Sequence, residues 1–305
     1  MRLLNASGCL DALAAPEVAR SFDAFVTKTV TPLPREGNAP VRIAETETGM
    51  LNAIGLANPG LERFLEEHLP RLAKLGIPVW VSVGGFSAGD YEEMCGVLDD
   101  RDDVAVVELN LSCPNVDEVP ENVGEVVARA RAQTAKPLYA KLSPAVADIA
   151  ETARAAAAAG ADGLSLVNTI RGLALDEKTL RPVLARGSGG LSGPALRPVA
   201  LAAVYACHRA VDVPIVGMGG VATGRDALDL LAAGSSDVAV GTALFADPGA
   251  AGLIRAELAA ELAARGFVNV DNAVGAAHQA DPQTLDHASR VADEKHLHIG
   301  VNMAG

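Results

Sequence analysis

Short, continuously apolar stretches alternate with longer segments of helical periodicity along almost the whole chain. Eight stretches rich in β-branched residues predict strands, at 2–6, 22–30, 78–84, 104–110, 137–142, 162–168, 213–219 and 236–242. Most of them lack polar alternation, which is typical of parallel strands buried on both faces. The segments between them predict helices at 60–75, 89–99, 121–134, 147–159, 194–210, 223–233 and 248–265.

This alternation predicts the fold class. Strand followed by helix, eight times in about 250 residues, is typical of a (β/α)8 TIM barrel of the α/β class. A doubly wound open sheet is the alternative, and it needs fewer strands. Because no linker rich in Pro, Ser or Gly divides the chain, we predict one barrel domain over 1–285 and a C-terminal tail over 286–305. The segment 31–59 predicts a long irregular insertion after the second strand, and such insertions are usually functional.

Composition and charge narrow the function classes. The chain is 50% hydrophobic and 3% aromatic, which suits helix-on-sheet layers of small branched side chains, and its net charge is −13. An acidic protein is repelled by nucleic acid and by anionic membranes, so neither is expected as a partner. No apolar stretch reaches the roughly 18 residues of a membrane span. The cysteines are widely spaced and form no CxxC pair, which predicts a reduced, cytoplasmic protein without its own zinc or iron–sulfur site: Cys9, Cys95, Cys113 and Cys207.

Polar and basic side chains recur where the predicted strands end. In a barrel, active sites lie at the carboxyl ends of the strands. A single lysine at such a position is more often a solvated rim residue, but the whole set indicates a site: Lys28, Thr29, Asn110, Cys113, Asn115, Lys141, Asn168, Thr169, Gly219, Gly220, Gly241 and Thr242.

Three glycine-rich stretches, "GGLSGPALRP" (189–198), "GMGGVATG" (217–224) and "VGTALF" (240–245), follow late strands. Glycines let backbone N–H groups approach phosphate oxygens, and barrels commonly bind phosphate after strands seven and eight. The stretch "GMGGVATG" does not fit the G-x-G-x-x-G dinucleotide fingerprint. The three stretches therefore predict a phosphorylated cofactor; the alternative is that they are only tight turns.

Four asparagines, Asn52, Asn110, Asn115 and Asn168, offer both an amide donor and a carbonyl acceptor. Such a set suits a planar ligand with alternating N–H and C=O groups, such as a pyrimidine. Turn formation is the alternative for any one of them, and for Asn115 in particular.

Nine motifs occur in the order in which a known family carries them: "NASG" (5–8), "TKTVT" (27–31), "ETETGMLNAIGLANPG" (45–60), "ELNLSCPN" (108–115), "KLSP" (141–144), "LSLVNT" (164–169), "GGLSGPALRP" (189–198), "GMGG" (217–220) and "VGTALF" (240–245). On these motifs the chain resembles class 1 dihydroorotate dehydrogenases, and it is most like the catalytic subunit of the 1B branch. The resemblance implies an FMN-containing barrel that oxidises dihydroorotate to orotate in pyrimidine biosynthesis.

The resemblance also implies residue roles. Cys113 would be the general base that removes a proton, while flavin N5 takes the hydride. The Lys141 ammonium would favour the anionic reduced flavin. Contacts with FMN are expected from Ser7, Lys28, Thr29, Asn110, Lys141, Val167, Gly193, Gly219, Gly220, Gly241 and Thr242. Contacts with the substrate are expected from Lys28, Asn52, Ala53, Ile54, Gly55, Leu56, Asn110, Asn115, Asn168 and Thr169.

The implied partners are a second copy of the chain in a homodimer and, in a heterotetramer, a subunit carrying FAD and a [2Fe–2S] cluster that passes electrons to NAD. Alternatives are fumarate reduction as in the 1A branch, or another FMN barrel that acts on a dihydropyrimidine. From other classes, a Schiff-base lyase using Lys28 or Lys141, a dihydrouridine synthase and a non-catalytic paralogue remain open. The net charge of −13 counts against the dihydrouridine synthase, because that enzyme acts on RNA and an acidic protein is repelled by RNA.

Three features depart from the family pattern. The chain starts directly at "MRLLNASG", where relatives have an N-terminal hairpin, so either the start is trimmed or the barrel bottom is less covered. The segment after "SCPN" is shorter than the glycine-rich lid of relatives. Ser82 stands where many relatives have an asparagine near the flavin.

Overall fold

A computed structural model of the chain describes residues 1–111 and 122–279. Within them the strands are β1 (Leu3–Asn5), β2 (Phe25–Val26), β3 (Ile43–Thr46), β4 (Gly49–Asn52), β5 (Val79–Val83), β6 (Val106–Asn110), β7 (Leu138–Leu142), β8 (Gly163–Leu166), β9 (Ile170–Gly172), β10 (Gly189–Ser192), β11 (Ile215–Met218) and β12 (Asp237–Val240). Eight of these form a parallel sheet in the order β1-β12-β11-β8-β7-β6-β5-β2. They coincide with the eight strands predicted from the sequence.

The two end strands of this sheet meet and close it. Leu4 and Ala24 form a parallel bridge between the segments of β1 and β2. The Asn5 side chain completes the closure, because its amide donates to the Val26 carbonyl and its oxygen accepts from the Val26 N–H, both at 2.8 Å. The predicted (β/α)8 barrel is therefore confirmed, and the open doubly wound sheet was the wrong alternative.

Helices follow most of the barrel strands: α1 (Pro16–Ala19), α2 (Leu61–Arg63), α3 (Leu69–Leu72), α4 (Ala88–Asp99), α5 (Val123–Arg131), α6 (Ile149–Ala158), α7 (Arg197–His208), α8 (Gly224–Ala232), α9 (Ala243–Ala246) and α10 (Ala250–Ala264). The short helices α1 and α9 were not predicted, and the others lie close to the positions that the periodicity predicts. Side chains that cap the exposed N–H groups fix several of the starts. Ser87 and Asp90 form a capping box before α4, and Thr223 and Asp226 form another before α8.

The predicted helix at 60–75 contains a turn of π-helix, Phe64–His68, between α2 and α3. Pro70 follows this turn after one intervening residue, Leu69. Proline has no N–H to donate and its ring presses on the carbonyl four residues earlier, so a regular α-turn cannot form there. The wider turn relieves that conflict.

A second sheet was not predicted. It is antiparallel, has the order β3-β4-β10-β9, and stands on the barrel rim. The segment 31–59, expected to be irregular, supplies the β3–β4 hairpin, and the glycine stretch 189–192 is strand β10. Gly189 allows this close pairing, since a Cβ there would lie 2.5 Å from the Asn52 carbonyl oxygen.

Inside the barrel, apolar side chains fill the amino-terminal half and polar side chains fill the half above. In the lower layer the centroids of the Trp80 and Tyr139 rings lie 4.7 Å apart. Arg2 Cζ lies over the Trp80 ring, 5.1 Å from its centroid. Arg2 also pairs with Asp237 at 2.7 Å, beneath the barrel. The polar upper half opens towards the carboxyl ends of the strands, the end at which barrel active sites lie.

One hydrophobic core lies between the barrel and its helices and extends along the described chain from Leu3 to Ala273. The predicted domain limit at 285 and the tail beyond it lie outside the described residues, so that division stays a prediction.

Candidate active site

A cleft of about 1170 Å³, measured out to bulk solvent, lies at the carboxyl ends of the barrel strands. The four-stranded sheet forms one wall and the glycine-rich loops form another. Its lining contains most of the residues that the sequence proposed: Ser7, Lys28, Thr29, Asn52, Ile54, Gly55, Leu56, Asn110, Lys141, Val167, Asn168, Thr169, Gly193, Gly219, Gly220, Gly241 and Thr242.

Among the described residues, one proposed residue, Ala53, does not line the cleft. Ala53 is 1% exposed and packs with Leu51 and Leu184 beneath the β3–β4 hairpin, facing away from the cleft. Cys113 and Asn115 lie outside the described residues. The Ala53 side chain is therefore not part of the cleft lining, and the substrate contact expected of Ala53 stays a prediction.

A chain of hydrogen bonds joins the polar groups on the cleft floor. The Asn168 side-chain amide donates to Asn110 Oδ1, and the Asn110 side-chain amide donates to Thr29 Oγ1, both at 3.1 Å. Ser7 Oγ lies 3.3 Å from the same Thr29 hydroxyl. The Thr169 N–H donates to Asn168 Oδ1 at 2.8 Å. Both asparagine side chains are therefore held in one orientation before any ligand arrives.

Two buried residues support this floor from behind. Ser82 Oγ lies 3.1 Å from Thr29 Oγ1, and Ser82 is fully buried. The Tyr91 hydroxyl donates to the backbone carbonyl of Asn110 at 2.8 Å. The Ser82 hydroxyl thus helps to hold Thr29 in place, and Ser82 is not among the lining residues.

Two lysines bring positive charge to the cleft. The Lys141 side chain is 7% exposed, and its Nζ lies 3.8 Å from the Glu108 carboxylate. The Lys28 side chain passes over Gly8, where a Cβ would approach Lys28 Cδ to 3.0 Å. A glycine at position 8 lets this lysine reach the cleft.

Cys9 also lines the cleft, and the sequence analysis missed it. Burial raises the pKa of the Cys9 thiol, and the nearby Lys141 and Lys28 ammonium groups oppose that rise. Its position just past the end of the first strand was the available signal. Further lining residues that were not predicted are apolar or small: Ala6, Gly8, Ile43, Met50, Ser192, Leu196, Met218 and Phe245.

The glycine-rich loops form a tight cradle on one side of the cleft. Gly220 has φ +74°, and a Cβ there would lie 2.7 Å from Arg197 Cβ. Gly193 has φ +93°, and its Cβ would lie 2.7 Å from Gly49 Cα. Only glycine gives this backbone conformation and this close approach without strain. Backbone N–H groups in such loops, next to the start of α7, suit an anion.

The closed parallel barrel and its polar, glycine-walled cleft define a (β/α)8-barrel enzyme. The family model "Dihydroorotate dehydrogenase" matches residues 2–262. The chain belongs to this family of oxidoreductases, as its motifs predicted.

Curated relatives agree with this assignment. The chain is 47% identical over 263 residues to the dihydroorotate dehydrogenase B (NAD(+)) catalytic subunit of Desulforudis audaxviator, covering 84% of this chain and 86% of that protein. It is 43% identical over 285 residues to the subunit of the same name from Geobacillus kaustophilus, covering 90% of each. The resemblance to the 1B branch is confirmed.

Solved structures agree on the fold. Ligand-free DHODH from Eimeria tenella superposes with a TM-score of 0.77 at 24% identity, covering 91% of this chain and 89% of that one. Within residues 1–111 and 122–279, no helix is both long and apolar enough to cross a membrane. In the same residues, no cluster of three or more His, Cys, Asp or Glu side chains could hold a metal ion.

Proposed function

We propose that this protein oxidises dihydroorotate to orotate with FMN, and that it serves pyrimidine biosynthesis. One observation carries the proposal. Glycine-rich loops suited to an anion, two lysines and a hydrogen-bonded pair of asparagines all line the same cleft. Membership of the dihydroorotate dehydrogenase family supports the substrate.

The residues fit the cofactor. Gly193, Gly219, Gly220 and Gly241 would present backbone N–H groups to the FMN phosphate, because side chains there would fill the space. Thr242 stands at the same wall and donates its hydroxyl to Ser192 at 2.8 Å. When bound, FMN supplies the hydride acceptor. The Lys141 ammonium would stabilise negative charge on the reduced ring.

The substrate side of the cleft would be formed by amides. Asn110 and Asn168 are fixed by their mutual hydrogen bond, and Asn52 faces them from β4 with its own amide donating to the Gly190 carbonyl at 3.3 Å. A dihydropyrimidine carries alternating N–H and C=O groups, so donor–acceptor side chains can bind both. The Lys28 ammonium would pair with the substrate carboxylate.

Cys113 is proposed as the base. Oxidation of the saturated carbon–carbon bond removes a proton from the carbon beside the carbonyl and a hydride from its neighbour, and a thiolate can take that proton. Cys113 follows Asn110 by three residues in the motif that matches the family. Its position lies outside the described residues, so this role rests on the sequence.

The test is anaerobic reduction of the purified protein. Dihydroorotate should bleach the bound FMN in stopped flow, and Cys113→Ala should retain FMN but lose this bleaching. The matched control is Cys9→Ala, because Cys9 is the other cysteine proposed at the cleft. Loss of bleaching in the Cys9 variant with near-normal bleaching in the Cys113 variant would move the base to Cys9. A colourless protein whose amine is trapped by borohydride would favour a Schiff-base lyase instead.

For the electron acceptor, we propose NAD through a separate electron-transfer subunit with FAD and a [2Fe–2S] cluster. The names of the relatives, NAD(+)-linked catalytic subunits, support this. The isolated, substrate-reduced chain should then be reoxidised by neither NAD nor fumarate at a useful rate. Rapid reoxidation by fumarate alone would identify a 1A-like enzyme.

We also propose a homodimer. Large apolar side chains remain exposed on and beside the four-stranded sheet, which is typical of interaction surfaces: Val41, Ile43, Leu173, Leu175 and Leu180. Light scattering on the eluting peak should give twice the 31.2 kDa chain mass. A cytoplasmic location is proposed as well, supported by the free thiols of Cys9, Cys95 and Cys207 among the described residues.

A further inference from the structure

Glu108 is a buried carboxylate that the proposed chemistry does not use. It lies on β6 inside the barrel, is 1% exposed, and sits between the apolar lower layer and the cleft. Burying a charge is costly unless it is paired and hydrogen-bonded. A carboxylate at this position therefore needs a specific reason.

The two carboxylate oxygens differ in their surroundings. Oε2 accepts a hydrogen bond from the Ser165 hydroxyl at 2.9 Å. Oε1 is buried and, within the described part of the chain, accepts no hydrogen bond. The nearest cation to it there is the Lys141 ammonium, at 3.8 Å. One oxygen is thus anchored to β8 and the other is directed at a lysine of the cleft wall.

The strand register fixes this arrangement. Lys141 pairs with Ser165 across β7 and β8, and with Asn110 across β6 and β7. Glu108 lies two residues before Asn110, so its side chain points into the barrel on the same face, one layer deeper. The three side chains come from adjacent strands, so the barrel fixes the relative positions of their backbones.

We infer that Glu108 is a positioning residue: its carboxylate holds the Lys141 ammonium in the cleft wall and limits the positive charge that this wall presents to a bound flavin. The inference rests on the proposed FMN function and deepens it. A cation beside the flavin ring favours electron uptake, so a carboxylate behind that cation moderates the effect. The role of Glu108 would thus be to set the flavin potential, without contact with the substrate.

The test measures the flavin and not turnover. Sulfite adds reversibly to oxidised flavin and leaves negative charge on the ring, so its Kd reports the local positive charge. Glu108→Gln keeps the shape and removes the charge; it should lower the sulfite Kd about tenfold or more, the usual size of one close charge. The FMN midpoint potential should rise in parallel.

Three control variants isolate the cause. Ser165→Ala removes the bond to Oε2 and keeps the charge, and Glu108→Asp keeps the charge on a shorter side chain. Asp237→Asn neutralises another buried carboxylate at the opposite end of the barrel, where it pairs with Arg2. All three should change the sulfite Kd by less than about threefold, well below the expected effect of a close charge.

A double variant tests whether Glu108 acts through Lys141, and it also removes the unpaired buried charge if Glu108→Gln alone fails to fold. Glu108→Gln should alter the sulfite Kd far less when Lys141 is already glutamine. An unchanged or raised sulfite Kd in Glu108→Gln, or an equal effect in both backgrounds, would overturn the inference. A wild-type protein that binds no FMN would instead overturn the proposed function, and that is visible in its spectrum before sulfite is added.

Discussion

Replacing Gly220 with alanine tests whether the glycine cradle builds the cofactor site. Gly220 has φ +74°, and a Cβ there would lie 2.7 Å from Arg197 Cβ and 2.9 Å from the Gly193 carbonyl oxygen. Arg197 cannot withdraw easily, because its guanidinium pairs with Asp226 and Asp229. The new methyl group must therefore displace the loop itself.

The chain offers a matched control at Gly76, which has φ +76° but where a Cβ would meet no atom within 4 Å. The left-handed conformation alone costs a non-glycine residue about 1–2 kcal/mol, and this is the loss of stability expected for Gly76→Ala. Overpacking adds about 1–3 kcal/mol. The sum predicts that Gly220→Ala loses about 2–5 kcal/mol.

Urea unfolding followed by circular dichroism gives the two stabilities, and titration of apoprotein with FMN, followed by fluorescence quenching, gives the affinities. Gly76→Ala should bind FMN as the wild type does, whereas Gly220→Ala should bind it at least about tenfold more weakly, a loss of about 1.4 kcal/mol. Equal stability losses together with equal FMN affinities would refute the cradle argument.

Three further predictions concern other parts of the molecule. Thr29→Val removes the hydroxyl that joins three polar side chains under the cleft, so the midpoint of urea unfolding should fall by an amount equivalent to about 1–3 kcal/mol; an unchanged midpoint would contradict the network. Ser87→Ala breaks the capping box with Asp90 and should cost about 1 kcal/mol in the same assay, with no change in FMN affinity. Burial, aided by the neighbouring His278, lowers the pKa of His208, so its contribution to stability should be complete above about pH 6.5 and decline as pH falls through the lower folded value. His208→Gln should flatten the pH dependence of the melting temperature in that range, and an unaltered slope would contradict this.

The barrel was predictable from the sequence because its signal is local. Parallel strands buried on both faces read as continuous apolar runs, and each run was found within a few residues of its observed bounds. The position of the active site could be predicted from the same runs, because the carboxyl ends of parallel barrel strands all lie at one rim. Most of the proposed cleft residues could be found in this way.

The four-stranded sheet could not be predicted in this way. Strand β10 reads "GGLS", and glycine is depleted in strands, so the stretch was interpreted as part of a glycine-rich loop and not as a strand. Their pairing with β4 depends on contacts between segments 138 residues apart, at Asn52 and Gly190. The side-chain direction of Ala53 was hidden for a related reason: a hairpin alternates its side chains between two faces, and the motif alone does not say which face meets the cleft.

The pairing of β4 with β10 also bears on how the chain assembles. β4 belongs to the segment after the second barrel strand, whereas β10 is made only after the sixth, so this wall of the cleft joins early and late parts of the chain. A nascent chain that ends before Gly189 would leave one edge of β4 without its partner, and unpaired edges invite association with other chains. Cofactor binding would then become possible only when the late half of the barrel is in place, and FMN uptake would mark the completion of folding.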